Sequence, residues 1–218
     1  MCASYGLDPR FADGEYGDII DTGVLDGLRA WAAGNDGEIL RPTGKNRRNL
    51  NPLITTPSTL ELSWWGYLIN GAPASFASIN TRSERVAASR SSLPARAIVP
   101  VSFWREMQKP SRIWHHFTAP DDALLGLAAF TRPGRTADGA EYTCYSIVTQ
   151  PAARHLEHVH DRMPLLINPG FAEEWLMAQS PGSALIDAAI AAAQPVSELV
   201  QMSAMGNEKP TRRPELLF

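Results

Sequence analysis

The second residue of the chain is a cysteine, Cys2, directly after Met1. Aminopeptidase trimming normally removes Met ahead of a small residue, which would leave Cys2 with a free α-amine and a thiol on adjacent carbons. Reference pKa values of about 7.7 to 8.0 for the amine and about 8.5 for the thiol keep a useful fraction of each nucleophilic near neutrality. An aldehyde meeting that pair forms an imine, and sulfur then captures it as a five-membered thiazolidine ring. Taken alone, the cysteine is equally well read as a small, tolerated residue at that position.

The second group is the run His155, Leu156, Glu157, His158, Val159, His160, Asp161, Arg162, Met163 and Pro164, which holds three of the five histidines. On a strand His158 and His160 share a face and His155 points elsewhere. No Cys, Asp or Glu cluster completes a metal site at familiar spacing. Acid/base work or phosphate recognition therefore ranks above metal binding, and a surface histidine cluster is the bland alternative. No metal or other cofactor is expected.

A chain of 218 residues with 44% apolar content can bury a core, and one compact domain over residues 1–218 is expected. No basic segment followed by an apolar run opens it, and the apolar stretch at 184–193 is short and carries Asp187. Secretion and membrane spanning are not expected. Two cysteines, Cys2 and Cys144, make no disulfide framework and suit a reducing cytoplasm. Cys144, on an apolar strand, reads as a buried small hydrophobe.

The net charge of −3 excludes a wholly basic nucleic-acid binder. Residues 1–40 are acidic against only Arg10 and Arg29, whereas 41–112 reverse the balance with Arg41, Lys45, Arg47, Arg48, Arg82, Arg85, Arg90, Arg96, Arg105, Lys109 and Arg112. Such a block could line a phosphate groove, although a solvated charged face is commoner.

The elements that must position these residues follow from periodicity. Val24, Leu25, Leu28 and Trp31 predict an amphipathic helix over 20–33, with Asp21 and Thr22 as caps. Residues 41–52 read as an irregular loop, and 60–69, 98–107, 142–149 and 124–130 as strands. Helices are predicted at 170–179 and at 183–194, the latter bounded by Gly182 and Pro195. Strands then helices without regular alternation argue for an α+β fold.

Cys2 together with His160-Asp161-Arg162-Met163-Pro164 resembles the SRAP (SOS response-associated peptidase) family, which shields abasic sites in single-stranded DNA by crosslinking to them. Two further blocks fall in the required order. Residues 79–84, with Asn80, Arg82 and Glu84, are similar to the family's Asn-Ala-Arg-x-Glu segment, and 96–106 are similar to the strand that delivers its glutamate, here Glu106. Weaker echoes are Trp65-Gly66-Tyr67, Ile147-Val148-Thr149 and Met205-Gly206-Asn207.

The resemblance implies a curved, barrel-like mixed or antiparallel sheet with peripheral helices, and a monomer whose partner is single-stranded DNA containing abasic sites. It implies catalytic roles for Cys2, Asn80, Glu106 and His160. Glu106 would act as acid/base, His160 would protonate the sugar ring oxygen, and Asn80 would hold the cysteine amine or the sugar. Arg82 and Arg162 would grip phosphates, with Thr149 as a neighbouring hydroxyl.

The chain departs from the family pattern at Ala3 and Ser4, which stand where glycine and arginine are usual, so one phosphate-gripping cation is missing. Lys45, Arg47 and Arg48 could supply charge by another route. Only Phe76 remains as an aromatic base-stacker in 68–76, where stacking contributes roughly 1 to 3 kcal/mol per base. The rivals are an N-terminal-nucleophile peptidase or amidase, in which the amine of Cys2 serves as base, a non-catalytic binding module, and a histidine-metal enzyme.

Overall fold

The computed structural model describes residues 2, 4–35, 42, 49–75, 78–88, 93–178 and 182–205. Along the chain run β1 (Tyr5–Gly6), α1 (Thr22–Ala33), β2 (Leu50–Thr56), β3 (Thr59–Trp65), β4 (Leu68–Ile69) and β5 (Ala72–Pro73). Next come β6 (Asn80–Arg82), α2 (Ser83–Ala87), β7 (Ala95–Val101), β8 (Phe103–Met107), β9 (Trp114–Thr118), β10 (Leu125–Arg135) and β11 (Glu141–Pro151). The last are β12 (Arg162–Pro164), β13 (Leu166–Ile167), α3 (Ala172–Met177), α4 (Gly182–Leu199) and β14 (Gln201–Ala204).

Strand pairing closes a ring of five strands in the order β3, β2, β7, β10 and β11, because β11 pairs both with β10 and with β3. The β3–β11 pair is parallel and the other four are antiparallel. Short strands extend it: β6 lies parallel to β11, β12 antiparallel to β11 and β13 antiparallel to β10. A separate four-stranded sheet has the order β1, β8, β9, β14. The expected α+β fold with a barrel-like mixed sheet is the one observed.

The alternation of side chains along each strand sorts the core into two layers. Ala97, Val99, Leu127, Ala129, Tyr145 and Ile147 cluster with Leu53 and Trp65, and with Cys2 and Tyr5 from the chain start. Their strand neighbours Ile98, Ala128, Phe130 and Val148 instead pack with Leu25 and Leu28 of α1, Trp175 of α3, and Ile186 and Ala189 of α4. Helices can lie only outside a closed barrel, so the first cluster is its interior. Trp104 and Phe117 of the second sheet also join that cluster, so this sheet covers one mouth of the barrel and Cys2 is lodged beneath it.

Several expectations are corrected. The predicted strand 60–69 is broken at Gly66, whose φ of 89° only glycine adopts readily and whose N–H donates to Tyr145 O at 2.8 Å. The predicted strand 98–107 is two strands in different sheets. Ser102 is the corner, its N–H donating to Gly6 O at 2.8 Å and its hydroxyl accepting from Asp8 N at 2.9 Å. The loop expected over 41–52 gives way at Leu50 to β2, where Asn51 and Pro52 are buried.

The strand β9 was not expected, since its His115-His116 pair masks the alternation. The helix over 170–179 begins as a 3-10 turn and is regular only in α3, and α4 passes through Pro195 to Leu199. Buried Ala189, Ala193 and Ser197 at four-residue spacing hold its inner face across the proline. Among the described residues, no helix is long and apolar enough to cross a membrane.

Candidate active site

β1 brings the chain start into the site by pairing antiparallel with β8, in a register that sets Tyr5 against Trp104 and Gly6 against Phe103. One further ladder bond runs from Arg105 N–H to Ser4 O at 2.9 Å. The ladder therefore carries Cys2 to the level of Glu106. Cys2 is fully buried as a free thiol. Burial pushes that thiol well above its ordinary range, and the nearby Glu106 carboxylate pushes it the same way. The phenol pair beneath it, Tyr5 and Tyr145, shares a hydrogen bond of 2.6 Å, and Asn51 Nδ2 donates to Tyr145 Oη at 3.1 Å.

Asn80 comes from the opposite side. β6 runs parallel to β11 with Asn80 against Ile147, and the preceding Ile79 carbonyl accepts both Ile147 N–H at 3.0 Å and Trp65 Nε1–H at 3.1 Å. So held, Asn80 Nδ2 donates to the Cys2 carbonyl at 2.8 Å. Its Oδ1 is buried and has no partner among the described residues, which leaves an acceptor available beside the cysteine.

Glu106 is 6% exposed, on the face of β8 turned toward the barrel. Burial pushes its carboxyl up to about 7, so near neutrality it exists both as acid and as carboxylate. Its cross-strand partner is His115.

His160 lies between residues 152–159, whose Leu156 and Val159 join the Cys2 cluster, and β12. The segment is tied to the β8–β9 turn by Gln108 Nε2, which donates to His158 O at 3.0 Å. His160 Nδ1 accepts the Arg162 backbone N–H at 3.0 Å. That nitrogen also lies 2.9 Å from Asp161 Oδ1, but it has no proton to offer while it accepts from Arg162. Asp161 is 86% exposed and solvated, so we take the backbone bond as the determinant. The ring is then neutral with its proton on Nε2, in accord with a pKa lowered first by burial.

The predicted residues thus divide. Cys2, Asn80 and Glu106 meet around the chain start, with His160 on the segment that packs against them. Arg82 is exposed at the end of β6. Arg162 is engaged: its guanidinium forms a two-pronged pair with Glu84 of α2, Nη2 to Oε2 at 2.9 Å and Nη1 to Oε1, and Nη2 also donates to Thr149 O at 2.6 Å. Arg96, from the same basic stretch, donates through Nε to Trp175 O at 2.5 Å. Arg47, Arg48 and Phe76 lie outside the described residues. No cluster of three or more metal-ligating side chains occurs among the described residues. The sequence reading passed over His115, whose signal is its position nine residues after Glu106 across a hairpin.

The chain is similar to known proteins over this same region. The model of the family described as SOS response associated peptidase (SRAP) matches residues 45–204, a span that includes Asn80, Glu106 and His160 and begins after Cys2. Abasic site processing protein YoaM of Bacillus subtilis is 28% identical over 176 residues, 79% of this chain and 71% of YoaM. Abasic site processing protein YedK of Escherichia coli is 29% identical over 149 residues, 64% of each chain. Among solved structures, a protein from Bordetella bronchiseptica superposes with a TM-score of 0.62 at 17% identity, covering 94% of this chain and all of the other. A protein from Bacteroides thetaiotaomicron superposes with a TM-score of 0.57 at 18% identity, covering 72% and 73%. The match to the family's sequence model extends over most of the chain, and the chain therefore belongs to the SRAP family.

Proposed function

We propose that the protein processes abasic sites in single-stranded DNA by covalent capture, Cys2 being the reacting residue once Met1 is removed. The observation that carries this reading is the placement of Cys2 in a buried pocket, where Asn80 holds its carbonyl and a carboxyl titrating near 7 stands close by. The relatives named for abasic site processing support it, as does the family to which the chain belongs.

The chemistry follows from the groups present. An abasic sugar is largely a closed hemiacetal, and opening it requires a proton on the ring oxygen and removal of one from the anomeric hydroxyl. His160 Nε2–H is the donor and the Glu106 carboxylate the acceptor. The Cys2 amine then adds to the aldehyde carbon, and loss of one water leaves an imine. The thiol adds to the imine carbon and its proton passes to nitrogen, which closes the thiazolidine.

Burial that holds the thiol protonated sets this order, amine first and sulfur second. The same environment argues against a thiolate-driven peptidase, whose nucleophile needs a lowered pKa. Arg82 is placed to contact a flanking phosphate, whereas Arg162 reaches one only by giving up Glu84.

Incubation with a single-stranded oligonucleotide bearing one abasic site, followed by denaturing electrophoresis, tests the reading. The parent is expected to give a slow-migrating product that survives denaturation, and Cys2→Ala to give none. A persistent product in Cys2→Ala would refute the assignment.

A further inference from the structure

His115 stands directly opposite Glu106 in the β8–β9 ladder. Cross-strand partners project to one face with Cβ atoms about 4.5 to 5.5 Å apart, so imidazole and carboxyl face the same space under the barrel mouth. The neighbouring pair on that face is apolar: Trp104 and Phe117 stack with ring centroids 5.0 Å apart and planes 7° from parallel. His115 is 7% exposed, and neither ring nitrogen has a hydrogen-bond partner among the described residues. A buried polar group left in that state opposes folding, and an apolar residue would suit the position better unless the imidazole is used.

The use is suggested by what it faces. A carboxyl that serves as acid in one step and carboxylate in another needs a neighbour suited to both forms. A neutral imidazole has one donor and one acceptor. It can accept from the acid or donate to the carboxylate, whereas Trp104 and Phe117 do neither for a carboxyl. We infer that His115 is the positioning residue for Glu106, the hydrogen-bond partner that accommodates both protonation states of the carboxyl as it exchanges a proton with the sugar. The inference rests on the reading of Glu106 as the acid/base group. No net proton reaches His115: the proton lost by the sugar hydroxyl resides on Glu106.

The surroundings agree with a neutral ring. Burial lowers the His115 pKa, and His158, facing it from the segment after β11, acts the same way. Glu106 faces it from β8. β14 pairs on its other side and brings no titratable side chain between Gln201 and Ala204, while Cys2 bears on Glu106 from the chain start.

The test follows the Glu106 carboxyl carbon by NMR in the full chain labelled at glutamate, the resonance being assigned by its loss in Glu106→Gln. Its midpoint is expected near 7 in the parent. Loss of a polar neighbour disfavours the charged form, so His115→Leu should raise the midpoint by about half a unit or more. His115→Gln, which keeps a donor and an acceptor, should leave it close to the parent. The acid limb of adduct formation against pH should move in the same way.

An unmoved midpoint in His115→Leu overturns the inference, as does an equal shift in His115→Gln. His115→Met gives the same reading should leucine pack poorly. Adduct in Cys2→Ala together with a moved carboxyl midpoint would defeat the crosslinking reading and keep the pairing. No adduct in Cys2→Ala together with unmoved midpoints would do the reverse.

Discussion

Glu106 carries a cost in stability that its chemistry requires. Burial raises its carboxyl from the ordinary 4.5 to about 7. Between those values the folded protein holds a proton that the unfolded chain has released, so the stabilisation from protonated Glu106 is full below about 4.5 and is lost as pH rises through about 7. At about 1.4 kcal/mol per unit the loss is on the order of 3 kcal/mol by pH 8. Glu106→Gln removes this group's titration. The thermal midpoint of the parent should therefore fall from pH 5 to pH 8 by several degrees more than that of Glu106→Gln, and parallel profiles would contradict the burial account. In the same variant adduct formation should slow, because an amide cannot take the hydroxyl proton.

β1 is only two residues long, yet it delivers the reacting residue. Its hold on β8 depends on Gly6, over which the Phe103 ring lies: a Cβ there would come 2.2 Å from Phe103 Cζ, with Cε1 at 2.7 Å and Cε2 at 2.9 Å. The ring has little room to yield, since it packs on His116 at 4.3 Å between centroids and lies under the Arg105 guanidinium. Gly6→Ala should destabilise by about 1 to 3 kcal/mol and slow adduct formation at least tenfold even where the protein remains folded. Gly6→Ala with Phe103→Leu should recover part of that rate. A single variant with the parent's rate would mean that β1 does not set the position of Cys2.

Across the molecule, the sequence reveals what depends on local pattern and conceals what depends on pairing between distant segments. Val24, Leu25 and Leu28 mark α1 because a helix buries one stripe of its own residues. The corner at Ser102 is hidden because both halves of 98–107 are apolar strands, and only pairing with β1 or with β10 tells them apart. Cys2, Asn80, Glu106 and His160 were legible through their resemblance to a family pattern. The hold of Glu84 on Arg162 and the position of His115 opposite Glu106 were not, since each joins segments whose proximity exists only after folding.

That folding brings the chain start into a pocket, and the central claim is that this start is what reacts. Mass measurement of the purified adduct, with mapping after proteolysis, tests it most directly. The account predicts the chain without Met1 plus the oligonucleotide minus one water, with the modification confined to Cys2. A modified lysine, or an adduct that still carries Met1, would contradict it.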